Sequence, residues 1–133
     1  MSATDFHAIL SHFPECRIAV LGDMMLDVYL WGKATRISPE APVPVVNVSR
    51  RTSCLGGAAN VMRNVATLNA HAHAFGTVGN DATADELLAA LAEYRIRCDA
   101  VERDSSRRTT EKRRVIAGAQ QLCREDYEDV HPV

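Results

Sequence analysis

Asp27, the pair Gly56-Gly57 and Asn60 are the residues of this 133-residue chain whose types and spacing suit ligand chemistry. Asp27 ends the run Val20-Leu21-Gly22-Asp23-Met24-Met25-Leu26-Asp27. It reads as closing the turn after a first strand, where open α/β sheets place ligand-binding groups. A carboxylate there can accept two hydrogen bonds from vicinal hydroxyls of a polyol. It can equally cap the turn, and the residues alone leave both readings open. Asp23, beside the glycine, reads as structural. Gly56-Gly57 directly precedes an apolar helical pattern, so the backbone can approach a ligand closely and aim the free N–H groups of a helix start at it. Asn60 adds an amide one turn further on. The competing reading of the glycine pair is a tight loop that needs positive φ.

The only basic run is Arg107-Arg108-Thr109-Thr110-Glu111-Lys112-Arg113-Arg114. Strand alternation places Thr110, Lys112 and Arg114 on one face and Glu111, Arg113 and Val115 on the other. Such a strand is either a solvated periphery or a source of cations for a phosphorylated substrate. Nucleic acid is not an expected partner, because no aromatic residues interleave with the charges to stack on bases. Neither G-x-x-x-x-G-K-[ST] nor G-x-G-x-x-G occurs, so nothing here is built to hold ATP or a dinucleotide. Cys16, Cys54, Cys98 and Cys123 are scattered and expected to be free thiols. Neither they nor the five histidines cluster, so no metal is expected, and His71 and His73 read as half-exposed strand residues.

The elements that must position these groups follow from periodicity. Phe6, Ile9, Leu10 and Phe13 recur at helical spacing up to Pro14. Residues 17–22 form a continuous apolar run, expected to be a strand buried on both faces. Residues 28–37 and 43–51 favour β structure on either side of Pro39, Pro42 and Pro44, and the prolines predict a peripheral hairpin. Apolar positions 58, 61, 62, 65 and 68 predict a helix, with Asn69 as a left-handed stop. A strand over 73–78 follows, then a helix opened by the capping box Thr83-Ala84-Asp85-Glu86 and a short strand near 98–101. Two β runs, 109–116 and 120–124, joined around Gly118, complete the order. Strands alternating with helices predict an α/β fold, a parallel sheet with flanking helices plus peripheral strands. About three core strands and two crossover helices would leave a long apolar edge unpaired, so the chain is expected to be part of something larger.

Length supports one domain. A composition of 47% hydrophobic and 24% charged residues is that of a globular chain, and a net charge of −2 gives no pull toward nucleic acid or an anionic membrane. No apolar run reaches the ~20 residues of a membrane span. No secretory signal is readable, and the expected location is the cytoplasm.

Five stretches carry a resemblance: residues 20–27, Arg36-Ile37-Ser38-Pro39-Glu40-Ala41-Pro42-Val43-Pro44-Val45, residues 56–60, residues 109–114 and Gln120-Gln121-Leu122. Together they resemble the heptose-7-phosphate kinase domain of ADP-heptose synthesis, one of the ribokinase-like carbohydrate kinases. The similarity runs from about residue 6 to the end of the chain. The proline stretch is specific to the subfamily, whereas Gly-Gly-x-x-Asn marks the superfamily. The chain departs from the family pattern at Met62, Asn69 and Ala84, all packing or turn positions.

The resemblance implies an incomplete ribokinase-like parallel sheet with flanking helices, built from residues 1–30 and 56–105, plus lid strands at about 31–55 and 106–125. It implies ATP- and Mg-dependent phosphorylation of the anomeric hydroxyl of D-glycero-D-manno-heptose 7-phosphate, a step toward the lipopolysaccharide core. Asp27, Gly56, Gly57 and Asn60 would bind the sugar; Arg36 and Lys112 would serve its phosphate or the lid. The lid strands would also build a homodimer. The family's catalytic aspartate, Gly-Ala-Gly-Asp anion hole and nucleotide pocket belong to a C-terminal half absent from this sequence. The chain alone is therefore expected to be inactive, to hold no cofactor and to bind the sugar phosphate weakly. Two other readings stand beside this one: a non-catalytic phosphosugar-binding or lid-dimerisation module, and one subunit of a kinase split from its C-terminal half.

Overall fold

The computed structural model describes residues 3–130. Residues 1–2, where the expected core segment starts, and 131–133, where the expected similarity ends, lie outside the described residues. The apolar run 17–21 forms β1 (Arg17–Leu21), preceded by α1 (Ala3–Ser11) and a 3-10 turn that contains Pro14. β1 pairs in parallel with β4 (His71–Gly79), which pairs in parallel with β5 (Arg97–Asp104). The crossovers are α2 (Gly57–Thr67) and α3 (Ala82–Glu93). Parallel strands require such crossovers, and both helices present a small-and-apolar stripe to the sheet. In α2 the stripe is centred on the fully buried Ala59 and Met62, flanked by Ala58, Val65 and Ala66. Val61 and Leu68, two of the positions expected to be apolar-in, sit at its edge and are exposed. Asn69 stops the chain at φ 66°, as its type predicts.

β1 departs from expectation. A continuous apolar run usually signals burial on both faces, yet Ile18 is 40% and Leu21 81% exposed. β1 is the edge of its sheet, with β4 as its only strand partner among the described residues.

β2 (Met24–Ile37) follows directly after Gly22-Asp23, so Asp27 lies inside a strand rather than in the turn. β2 pairs antiparallel with β3 (Pro44–Gly56) and in parallel with β6 (Thr110–Ala117), and β6 pairs antiparallel with β7 (Gln120–Tyr127). The second sheet therefore has the order β3-β2-β6-β7. The hairpin expected to be peripheral is only partly so. Its first half is interior, with Met24, Leu26, Val28 and Leu55 buried in the common core. Beyond Trp31 it projects into solvent. Pro39 and Pro42 occupy the connecting loop and Pro44 opens β3, positions where a missing N–H costs the ladder least.

α3 locks the two sheets together. Its cap is Asp81, two residues before the capping box read from sequence: Asp81 Oδ1 accepts from the Ala84 N–H at 2.8 Å. Its other oxygen accepts from the Thr109 N–H, also at 2.8 Å, and so fixes the entry to β6. Thr83, expected as the cap, instead donates to Glu111 at 2.9 Å. Glu86 takes both Arg51 guanidinium nitrogens, at 2.9 and 2.8 Å, and the Ser53 hydroxyl at 2.5 Å. Glu111 is 4% exposed and is further satisfied by Arg113. A buried carboxylate is tolerable only with such partners. Burial opposes charge on Asp81, but the hydrogen bonds from Thr109 and Ala84 outweigh it and hold the carboxyl below its usual range.

A group whose pKa is depressed on folding stabilises the folded state above its unfolded pKa and loses that contribution as pH falls through the folded value. Asp81→Ala is expected to cost about 2 kcal/mol near neutral pH, one cap plus one further hydrogen bond. Urea unfolding of wild type and variant should show that gap narrowing once the pH drops below about 4, the range of an unperturbed aspartate. A gap that stays constant across that range would contradict the assignment.

Candidate functional site

The Gly22-Asp23 turn and the start of α2 are stitched together by backbone alone. The Ala58 N–H donates to the Asp23 carbonyl at 2.9 Å. Gly57 has φ +54°, and a Cβ there would lie 2.5 Å from that same carbonyl oxygen. Positive φ and the close approach both require glycine at this position. Gly56, in extended conformation, is constrained differently: a Cβ on it would collide with the Asp27 carboxylate and lie 2.8 Å from Met25 Cγ. The Asp27 side chain thus fills the volume a side chain at 56 would need. Strand register explains why, because Met25 faces Gly56 and Asp27 faces Cys54 across the β2–β3 ladder.

The structure therefore brings together Asp27, Gly56 and Gly57, and puts Asn60 one helical turn beyond Gly57 on the same side of α2. The Asn60 carbonyl oxygen accepts from Arg63 at 2.6 Å, which leaves its NH2 group for an outside acceptor. Asp27 is not a turn cap. It lies on β2, and Arg114 of β6 donates to its Oδ1 at 2.6 Å. That hydrogen bond, working against partial burial, holds the Arg114 guanidinium above its usual range. Arg114 also lies over the Tyr29 ring, 5.2 Å from its centroid. The result is an oriented carboxylate whose remaining lone pairs can accept from hydroxyls.

Lys112 sits beside Asp27 in the parallel β2–β6 register. Its ammonium is turned to the acidic tail, 2.9 Å from Glu128 and 3.4 Å from Asp126. The hydrogen bond to Glu128, and then that to Asp126, hold it above the usual lysine range despite some desolvation. Arg36 is exposed near the far end of β2, opposite Val45. At ~3.3 Å per residue, a strand separates it from Asp27 by roughly 30 Å, so within one chain the two do not converge. Arg114 was missed as a site residue. Alternation placed it on one face with Lys112, but its pairing with a carboxylate 87 residues away has no local signal.

His71 and His73 line a cavity of about 430 Å³ with Arg17, Arg95 and Arg97, cationic surroundings that disfavour a metal ion. Among the described residues no three His, Cys, Asp or Glu side chains gather to hold one. The four cysteines are unpaired, and burial pushes the Cys98 thiol up. No helix among the described residues is long and apolar enough to cross a membrane.

A relative described as D-beta-D-heptose 7-phosphate kinase, from Bordetella bronchiseptica, is 51% identical over 118 residues, covering 89% of this chain and 37% of that protein. The Bifunctional protein HldE of Sulfurimonas denitrificans is 46% identical over 112 residues, covering 84% of this chain and 24% of that protein. That of Pelobacter propionicus is 43% identical over the whole chain and 27% of its own length. The chain thus spans about a quarter to just over a third of the curated relatives it matches. Among solved structures, a carbohydrate kinase from Agrobacterium tumefaciens superposes with a TM-score of 0.69 at 20% identity, covering 84% of this chain and 35% of the other. Arabidopsis thaliana ribokinase, solved with ribose and ATP, gives 0.67 at 17% identity, with the same two coverages. The fold is that of the ribokinase-like sugar kinases, and the pattern described as "pfkB family carbohydrate kinase" matches residues 16–127. This chain belongs to the pfkB family of carbohydrate kinases.

Proposed function

We propose that this chain is the sugar-recognising portion of a heptose 7-phosphate kinase. On this reading it holds ring hydroxyls of D-glycero-D-manno-heptose 7-phosphate through Asp27, the Gly56-Gly57 backbone and Asn60. The second sheet is the lid over that sugar, with its strands at about 31–55 and 106–125. The observation that carries the reading is the contact of the Asp27 carboxylate with bare backbone at Gly56, which joins a fixed acceptor to a helix start. The relative described as a D-beta-D-heptose 7-phosphate kinase supplies the substrate class.

Kinases of this family use ATP and Mg. Among the described residues no three His, Cys, Asp or Glu side chains gather to hold a metal. No step of phosphoryl transfer is assigned to them. Incubated with ATP, Mg and heptose 7-phosphate, the isolated chain is expected to release no ADP above a protein-free control. Stoichiometric ADP would overturn that part of the proposal.

Binding is the sharper test. Half of a pocket buries little of its ligand, so affinity is expected near the millimolar range. In ligand-observed NMR with heptose 7-phosphate, Asp27→Asn and Gly56→Ala should each weaken the signal at least about tenfold, as expected when a charge-assisted acceptor is lost or displaced. Signals equal to wild type from both variants would remove Asp27 from the site.

The lid strands also favour self-association. The outer edges of β3 and β7 have no strand partner among the described residues, and the hairpin end exposes Ile37, Val43 and Val48. A two-fold pairing would cover both copies at once. Sedimentation at tens of micromolar, about the Kd of a weak dimer, is expected to show dimer, and Val48→Lys to shift it to monomer. A clean wild-type monomer at that concentration would refute it.

A further inference from the structure

The aromatic residues of β2 do not join the common core. Met24, Leu26 and Val28 take the buried face of the strand, so Asp27, Tyr29 and Trp31 alternate onto the other. There the Tyr29 and Trp31 rings stack, with centroids 5.9 Å apart and planes 17° from parallel. Both neighbouring strands extend the row. Arg114 of β6 is in register with Tyr29 and lies over its ring, 5.2 Å from the centroid. Arg50 of β3 is in register with Trp31 and lies over that ring at 4.9 Å. The row ends on Asp27, through the 2.6 Å hydrogen bond from Arg114. We propose, resting on the sugar-binding reading above, that Tyr29 is a positioning residue for sugar recognition: its ring, supported by Trp31, holds the Arg114 guanidinium in the orientation that sets the Asp27 carboxylate.

Three observations support it. First, Arg114 needs a support. Its hydrogen bonds to the described residues leave from Nη1 alone, to Asp27 and, at 3.4 Å, to the Lys112 carbonyl. Bonds from a single nitrogen leave the guanidinium plane free to turn about it, and stacking on an aromatic face removes that freedom. Second, the support is itself fixed. Trp31 Nε1 donates to the Thr52 hydroxyl at 2.8 Å, and the Ser49 hydroxyl donates to the Trp31 carbonyl at 3.3 Å, so the ring next to Tyr29 is tied to β3. Third, the other boundary of Asp27 is rigid. Its Oδ2 lies against Gly56, which is backbone, whereas its Oδ1 meets a long side chain with many rotamers. The orientation of the carboxylate therefore depends on what immobilises Arg114.

The test is ligand-observed NMR with heptose 7-phosphate on the 133-residue chain, in a cycle of Tyr29→Leu, Arg114→Gln and the double variant, with Tyr29→Phe alongside. Tyr29→Phe keeps the ring and is expected to bind as wild type does. Tyr29→Leu keeps bulk without a π face and is expected to bind about two- to fivefold more weakly, the worth of one cation–π contact. A residue that acts through Arg114 adds nothing once Arg114 is gone, so the double variant should bind no more weakly than Arg114→Gln alone. Trp31 is the only tryptophan, and its emission through a urea titration shows whether each variant is folded. Tyr29→Ile, better suited to a strand, takes the place of Tyr29→Leu if that variant does not fold. The inference is overturned if Tyr29→Leu binds as wild type, if Tyr29→Phe weakens binding as much as Tyr29→Leu, or if the effects of Tyr29→Leu and Arg114→Gln multiply. In those cases recognition of the sugar by Asp27 still stands. Wild type that binds no sugar would instead defeat the sugar-binding reading itself, and this inference with it.

Discussion

Two strands and a helix start can share one ligand only if nothing with a side chain stands between them. Here the carboxylate of Asp27 occupies the space a side chain at 56 would claim, and the Asp23 carbonyl occupies the space of one at 57. This mutual exclusion fixes the register of β2 against β3, the angle at which α2 leaves β3, and the orientation of the carboxylate. A strand ladder alone would not do so, because long hairpins slip and this one already carries two register shifts further along β2. The acceptor is therefore set by backbone packing.

The same economy of placement appears where α3 meets the second sheet. Glu86, Thr83 and Asp81 occupy successive positions along the first turns of one helix, and each engages a different strand or strand entry. Glu86 reaches β3, Thr83 reaches β6 and Asp81 holds the residue before β6. Removing either partner from such half-buried pairs costs more than the pair contributes, since the remaining group stays desolvated. Interactions of this kind define one relative position of helix and sheet rather than adding much to stability. That position also fixes the entry to β6, because Thr109 is held to Asp81 and to Gly79.

Much of this arrangement is legible in the residues. Hydrophobic periodicity marks the strands and helices in order, Asn69 marks the end of α2, and the prolines mark the hairpin loop. The glycine pair was legible as a close approach, though what approaches is the protein's own Asp23 and Asp27. What could not be read is whatever depends on partners distant in sequence. Gly22-Asp23 through Asp27 looks like one polar turn, yet the alternating burial of Met24, Leu26 and Val28 shows a strand from Met24 onward. Both Asp81 and Thr83 carry capping chemistry, and the choice falls to Asp81 because Thr109 adds a second donor. The burial of β1 was misjudged because an apolar run records what a strand tolerates, not which neighbours pack on it.

The electrostatics of the second sheet divide its cations by partner. Arg114 is matched to Asp27, Lys112 to Glu128 and Asp126, and Arg124 to Asp126, all on the face away from the helices. A face neutralised in this way has little general attraction for anions, and exposed pairs of this type contribute little to stability. Within it, Arg114 orients the half-buried Asp27 carboxylate, whose other lone pairs can accept from hydroxyls. Hydroxyl recognition is thus built from a carboxylate whose charge is already balanced.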